Sequence, residues 1–435
     1  MTQPKAYRAA ILHSLGDPAQ VGLEASHAYY PDGVLVVADG RVRDIGPADE
    51  VLARQPAGLD ITRFENRLIT SGFIDTHIHF PQTEMIASYG EQLLDWLNNY
   101  TFPEERKFVD QAHGARVAEL FLDELLRNGT TTAMVFGTVH KASVDAFFTA
   151  SHARNMRMIA GKVMMDRHAP DYLLDTPESG YADSKELIER WHKKGRQLYA
   201  VTPRFAPTST AEQLALAGKL LAEYDDVYMQ THLSENQQEI EWVKSLFPEQ
   251  KGYLDVYDHF GLLGDRSVFA HAVHLEQEEA ARMGETDSVI SFCPTSNLFL
   301  GSGLFDLPGA EQRGIRVGLG TDVGAGTSFS MLQTINEAYK IQQLRRHKLH
   351  PLKALYLATL GGARSLRLED KVGNLAVGKE ADFLVLDLHA TPLMQARMNN
   401  AHNLFEQLFV LMMLGDDRAI AQTYIYGECR YRRDH

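Results

Sequence analysis

Two imidazoles, spaced two positions apart, open the case for chemistry in this chain. In Asp75-Thr76-His77-Ile78-His79, at the end of the apolar run Leu68–Ile74, side chains two apart on an extended segment point to one side. His77 and His79 can therefore converge on a single ion. Taken alone, the pair is also an ordinary polar strand end. A second strand end, Met229-Gln230-Thr231-His232-Leu233-Ser234-Glu235, adds an imidazole and, three positions on, a carboxylate free to act as acid or base. The same Glu235 also suits a helix first turn, where the macrodipole favours acids. Val268-Phe269-Ala270-His271 and Gly318-Leu319-Gly320-Thr321-Asp322 each place one ionisable group after a short run of small or apolar residues. A carboxylate there can equally cap the next element, and a lone imidazole can be a structural hydrogen-bonding group. What sets the group apart is that its members fall at the ends of different predicted strands, the face where α/β barrels keep their active sites.

Positioning those groups requires a regular series of strands. Between Gly72 and about Ala363, short apolar runs alternate with helix-period segments, the pattern of βα units feeding a parallel sheet. The predicted strands are Gly72–Thr76, Thr131–Phe136, Met158–Val163, Leu198–Thr202, Val227–Thr231, Ser267–Ala270, Val289–Phe292 and Val317–Thr321. Helices are predicted at Gln111–Arg127, Thr210–Glu223 and near Pro351–Leu360. Before this stretch, from Tyr7 to about Thr70, and after it, from Gly373 to Leu386, turn residues separate β-type runs. The architecture expected is α/β: a (β/α)8 TIM-type barrel over 71–370, and a small β-sandwich domain built from both chain termini, 1–70 and 371–435, the latter with a terminal helix. The apolar run around Leu404 to Leu414, broken by Glu406 and Gln407, is far shorter than the roughly 20 residues needed to cross a bilayer and reads as a buried helix.

Bulk properties narrow the class of partner. Of 435 residues, 44% are hydrophobic, enough for a large core, and the formal charge of −14 comes with no block of Lys or Arg to track a phosphate backbone. No nucleic acid and no membrane are expected as partners. Two cysteines, Cys293 and Cys429, are too few for a disulfide framework, and the segment Met1-Thr2-Gln3-Pro4-Lys5 lacks the apolar core of a secretory signal, so a cytoplasmic setting is expected. Cys293 reads as a small buried hydrophobe.

Taken together, Gly72–His79, Tyr100-Thr101-Phe102-Pro103-Glu104, Pro203-Arg204-Phe205, His232-Leu233-Ser234-Glu235, Cys293–Leu298 and Gly320-Thr321-Asp322-Val323 resemble the amidohydrolase superfamily along nearly the whole chain. The Thr-Phe-Pro-Glu and His-Leu-Ser-Glu pieces point to its guanine-deaminating members. The resemblance implies that His77, His79, His232 and Asp322 bind one Zn2+, a set of nitrogen and oxygen donors that suits zinc and does not exclude iron or another divalent metal. The superfamily's two-metal members carry a lysine at the end of the fourth strand. The corresponding stretch here, Val201-Thr202-Pro203-Arg204, has none, which predicts a mononuclear site. The implied reaction is hydrolysis of guanine to xanthine and ammonia, with Glu235 as proton donor to the ring, Asp322 as proton acceptor and shuttle, and His271 orienting the attacking oxygen. Gln82 and Arg204 would donate hydrogen bonds to the purine with Phe205 in contact, although an arginine at that position also reads as a surface salt bridge. Trp96 is a candidate lid or stacking residue, and equally a core tryptophan. A homodimer also follows from the resemblance. Two alternatives keep the barrel: an aminohydrolase or chlorohydrolase acting on a triazine, pterin or adenine derivative, or a non-enzymatic scaffold, for which intact ligands would be unexpected.

Overall fold

The computed structural model describes residues 3–56, 58–89 and 92–433. Strands β1 (Lys5–Ser14), β2 (His27–Ala38), β3 (Arg41–Pro47) and β4 (Asp60–Ser71) precede the barrel strands β5 (Phe73–His79), β6 (Thr130–Phe136), β7 (Arg157–Gly161), the two-residue β8 (Val163–Met164), β9 (Leu198–Pro203), β10 (Tyr228–Leu233), β11 (Ser267–His271), β12 (Val289–Phe292) and β13 (Arg316–Leu319). Strands β14 (Phe383–Asp387), β15 (Ile420–Ile425) and β16 (Glu428–Arg432) follow. Eight parallel strands run in the order β5, β6, β7, β9, β10, β11, β12, β13, with β8 paired beside β9. Two backbone hydrogen bonds join the ends of this series: Asp322 N–H to the His77 carbonyl at 2.9 Å and His79 N–H to the Val323 carbonyl at 3.0 Å. The seam between first and last strands is thus closed by the residues that carry the candidate chemistry.

Inside the barrel, Ile74, Met134, Ile159, Ala200, Tyr228, Val268 and Val289, one from each of seven strands, pack with Ala363, Leu366, Leu368 and Val372. A polar layer includes Thr76 hydrogen-bonded to Ser291 at 2.6 Å and Gln230 donating to Thr202 at 3.0 Å. The outer strand faces bury against helices whose starts are legible in the sequence. Asp110 caps Gln111–Arg127, and Thr210 caps Ala211–Glu223, each side chain accepting a first-turn N–H. The barrel expected from the alternating pattern is present, and its strands differ from the expected spans by a few residues at their ends. The expected strand Met158–Val163 is interrupted at Lys162, whose buried ammonium pairs with Asp175.

The small domain expected from the two termini is one hydrogen-bonded ladder in the order β16-β15-β14-β4-β1-β2-β3, with β1 and β4 parallel and the other pairs antiparallel. Strand β4 passes directly into the barrel through Gly72, where an added Cβ would lie 2.1 Å from the Thr131 hydroxyl. Only glycine permits that close handover. The helix Leu404–Leu414 forms as read, but it does not end the domain as expected: Gly415 stops it, and the Ile- and Tyr-containing segment that follows forms β15 and the hairpin partner β16. Among the described residues no helix is long and apolar enough to cross a membrane.

Candidate active site

His77 and His79 end β5, His232 lies in β10, and Asp322 follows β13. The Nε2 atoms of His77 and His79 are 3.2 Å apart and lie 3.1 and 3.2 Å from the same oxygen, Oδ1 of Asp322. One donor atom from each of these residues and from His232 falls within 4.8 Å of every other. Nδ1 of His232 is 2.7 Å from the Arg204 carbonyl, which can only accept, so the proton sits on Nδ1 and Nε2 presents a lone pair. Burial lowers the pKa of all three rings, His79 to about 3 and His232 well below the ordinary value. Burial works against ionisation of Asp322, yet the neighbouring His77, His79 and His271 rings hold its carboxyl well below the carboxylate range. Neutral nitrogens and an ionised oxygen crowded together, with no protein donor enough to serve them, are what a cation requires. In a tetrahedral site with zinc bonds near 2.0–2.1 Å, adjacent donors lie about 3.3 Å apart, close to the separations here. The donor set therefore fits a divalent metal.

The backbone is strained where these groups meet. Ser234, His271, Ala272 and Asp322 all have φ between 48° and 70°, a region costly for non-glycine residues and concentrated at functional sites. Glu235 follows Ser234, with Oε1 accepting from the Ser302 hydroxyl at 3.0 Å and Oε2 lying 3.4 Å from Nε2 of His271. Burial, then the charge of Asp322, pushes its carboxyl up to about 8. His271 is held through Nδ1, 2.9 Å from the Asn297 side-chain oxygen, and its Nε2 is 3.7 Å from Oδ2 of Asp322. His271 is thus no isolated core histidine.

These groups share a cavity with Gln82, Trp96, Arg204 and Phe205. All the candidate catalytic, substrate and metal residues of the sequence analysis line it except His77, which still joins the donor cluster. The surface reading of Arg204 is corrected: the residue is 3% exposed, and its Nη1 lies 2.9 Å from both carboxylate oxygens of Glu105. Glu104, the acid that closes the quoted Thr-Phe-Pro-Glu segment, instead pairs with Lys107 at 2.6 Å. Glu105, one position on, is the acid that supports the site, through Arg204.

Other supporting groups escaped sequence reading. Asp75 bridges β5 to the segment after β13: Oδ1 accepts from the N–H groups of His77 and Thr321 at 3.1 Å, and Oδ2 from the Thr321 hydroxyl at 2.5 Å. Burial raises its carboxyl to about 7 against those bonds. Glu239 accepts from the N–H groups of Glu235 and Asn236, at 3.1 and 3.2 Å, and so fixes the turn that carries Glu235. An Asn followed three residues later by Glu is a capping-box signal that was available in the sequence. Phe136 packs its ring 4.6–5.0 Å from those of His77, His79 and His232, and only the fold reveals that contact.

A barrel closed at its metal-type donor cluster defines the class, and comparison with known proteins agrees. The amidohydrolase family profile matches residues 68–429, and the chain belongs to that family. Over 98% of its length it is 55% identical to the guanine deaminase of Escherichia coli (strain K12), covering 96% of that protein. The solved structure of E. coli guanine deaminase superposes with a TM-score of 0.96 at 52% identity, covering all of both chains. Guanine deaminase from C. acetobutylicum, solved with guanine in its active site, gives 0.88 at 31% identity over 98% of this chain and 100% of that one.

Proposed function

We propose that this chain hydrolyses guanine to xanthine and ammonia, with one zinc ion held by His77, His79, His232 and Asp322. The observation that carries the reading is Glu235: a buried carboxyl raised to about 8, facing His271 and Asp322 beside the donor cluster, in a cavity walled by Arg204 and Gln82. Zinc, when bound, supplies Lewis acidity that brings the pKa of water from 15.7 towards about 7. Glu235, protonated at neutral pH, gives its proton to N3 of the purine as water oxygen adds at C2. Asp322 accepts one water proton and passes it to the departing amino group, which leaves as ammonia. The second water proton returns to Glu235 as the C2 carbonyl forms, so the acid is restored and xanthine keeps hydrogen on N3. His271, fixed by Asn297, orients the attacking oxygen. Arg204 and Gln82 hold the purine by hydrogen bonds, with Phe205 and Trp96 as apolar walls.

Incubating metal-loaded protein with guanine and following xanthine by absorbance, with ammonia assayed in parallel, tests this reading. Failure to release ammonia from guanine overturns it, and release from a triazine or pterin instead would reassign the substrate. The homodimer and the cytoplasmic setting belong to the same proposal; the first rests on the family resemblance and is checked by light scattering, the second by fractionation.

A further inference from the structure

One buried carboxylate behind the substrate wall has no part in the proton transfers. Glu105 is fully buried. Both its oxygens accept from Nη1 of Arg204 at 2.9 Å, and the Gln82 amide beside it favours its ionised form. The other end of the Gln82 amide is fixed as well, because its Oε1 accepts the backbone N–H of Gly324 at 3.0 Å. A backbone N–H only donates and a carboxylate only accepts, so the two contacts permit a single orientation of that amide: oxygen towards Gly324, nitrogen towards Glu105. The Gln82 amide nitrogen therefore offers N–H bonds only. Arg204 spends Nη1 on Glu105 and carries three more N–H bonds on Nε and Nη2. Whatever these two residues offer the cavity is therefore a donor, and the acceptor ends of both are turned elsewhere.

We propose that Glu105 is a positioning residue that locks Gln82 and Arg204 into a donor-only wall, so that the site selects a purine presenting a carbonyl at C6 and rejects one presenting an amino group there. The inference rests on the guanine reading above. An N–H group at C6 would face donors with no acceptor to meet it, leaving buried polar groups unpaired, and a site built to bond one partner discriminates strongly against an analogue that cannot supply it. In Glu105→Gln the neutral amide loses the charge and the second oxygen that hold Arg204, and its own NH2 needs an acceptor. With Arg204 no longer held in place, the wall loses its fixed set of donors and with it the discrimination against an amino group.

The experiment compares guanine with 2,6-diaminopurine, which carries the same 2-amino group but an amino group at C6. Steady-state kcat and KM are measured on metal-loaded wild type, Glu105→Gln and Glu105→Asp. Wild type is expected to favour guanine in kcat/KM by about 10²-fold or more. Glu105→Gln should narrow that ratio by about 10-fold or more, chiefly through a higher KM for guanine, while Glu105→Asp, which keeps the charge, retains most of it. A Glu105→Gln enzyme that loses activity on both substrates in equal proportion, ratio unchanged, overturns the proposal. So does a wild type that turns over the two substrates within about 10-fold of one another, a comparison that needs no variant to fold. Wild type inert on guanine would instead sink the functional reading, so the two failures are distinguishable.

Discussion

Glu235 stands three residues beyond a candidate metal ligand, yet its surroundings suit it for carrying a proton rather than for ligation. With its carboxyl raised from 4.5 to about 8 by burial and by the charge of Asp322, the protonated form dominates at neutral pH. Since that form is the active one, kcat/KM should stay level up to about pH 8 and fall about tenfold per unit above it. Ser302 donates to the carboxylate and so stabilises the ionised form. Removing that donor in Ser302→Ala should move the alkaline limb to higher pH, and a limb that moves down or stays put would deny Ser302 this influence. In Glu235→Gln, kcat should drop by about 10² to 10⁴ with the metal retained, as read by turnover and by metal analysis of the same sample. Loss of metal with recovery of rate on refilling would make Glu235 structural. Asp322→Asn should abolish turnover in a folded protein, because it removes a proton acceptor and weakens a ligand at once. Near-normal activity would refute both roles.

At the scale of elements, the site depends on how β5 meets the segment after β13, and Asp75 is the clasp. It receives two backbone N–H groups and one hydroxyl across that seam, so Asp75→Ala should loosen His77 and Asp322 together. Supporting contacts of this kind are worth about 10- to 100-fold in metal affinity. Chelator competition should register a loss of that order, and an unchanged affinity would show that the backbone bonds of Asp322 and His79 close the seam unaided. Asp75 also shows where sequence reading stops. The strand ends were legible because apolar runs terminate there in ionisable residues, and the start of Gln111–Arg127 is marked by Asp110, which caps it. What Asp75 touches lies 246 residues away, and the partner of Glu105 lies 99 residues away. Local patterning carries no trace of such pairings, which exist only once the barrel has closed. The quoted Thr-Phe-Pro-Glu segment marked the right helix but stopped at Glu104, since nothing local separates the acid that faces Lys107 from the one that turns inward.

Across the whole molecule, the barrel and the terminal sheet are joined by buried charges at the end of the barrel away from the site. Arg157, which begins β7, places Nε and Nη2 3.0 and 2.5 Å from the two oxygens of Glu380. Arg196, just before β9, reaches Glu380 at 2.7 Å and also pairs with Asp382. Asp382 in turn accepts the Tyr426 N–H through its side chain, and its carbonyl accepts the N–H of Gly72 at the handover into β5. Burial opposes the charge on Glu380, but the two guanidiniums outweigh it and lower its pKa below 4.5. The stabilising contribution is therefore complete above the unfolded value near 4.5 and is lost as pH falls below it through the folded value. Glu380→Ala would take from Arg157 the carboxylate it pairs with and leave Arg196 with Asp382, and breaking such a buried pair costs about 3–5 kcal/mol. The variant should unfold at a markedly lower denaturant midpoint near neutral pH, and the deficit should shrink in acid, where wild-type Glu380 is itself protonated. Its kcat for the folded protein should match wild type, because no member of the network lines the catalytic cavity. A fall in kcat at an unchanged midpoint would mean that the sheet governs the geometry of the site through these charges rather than only holding the barrel together.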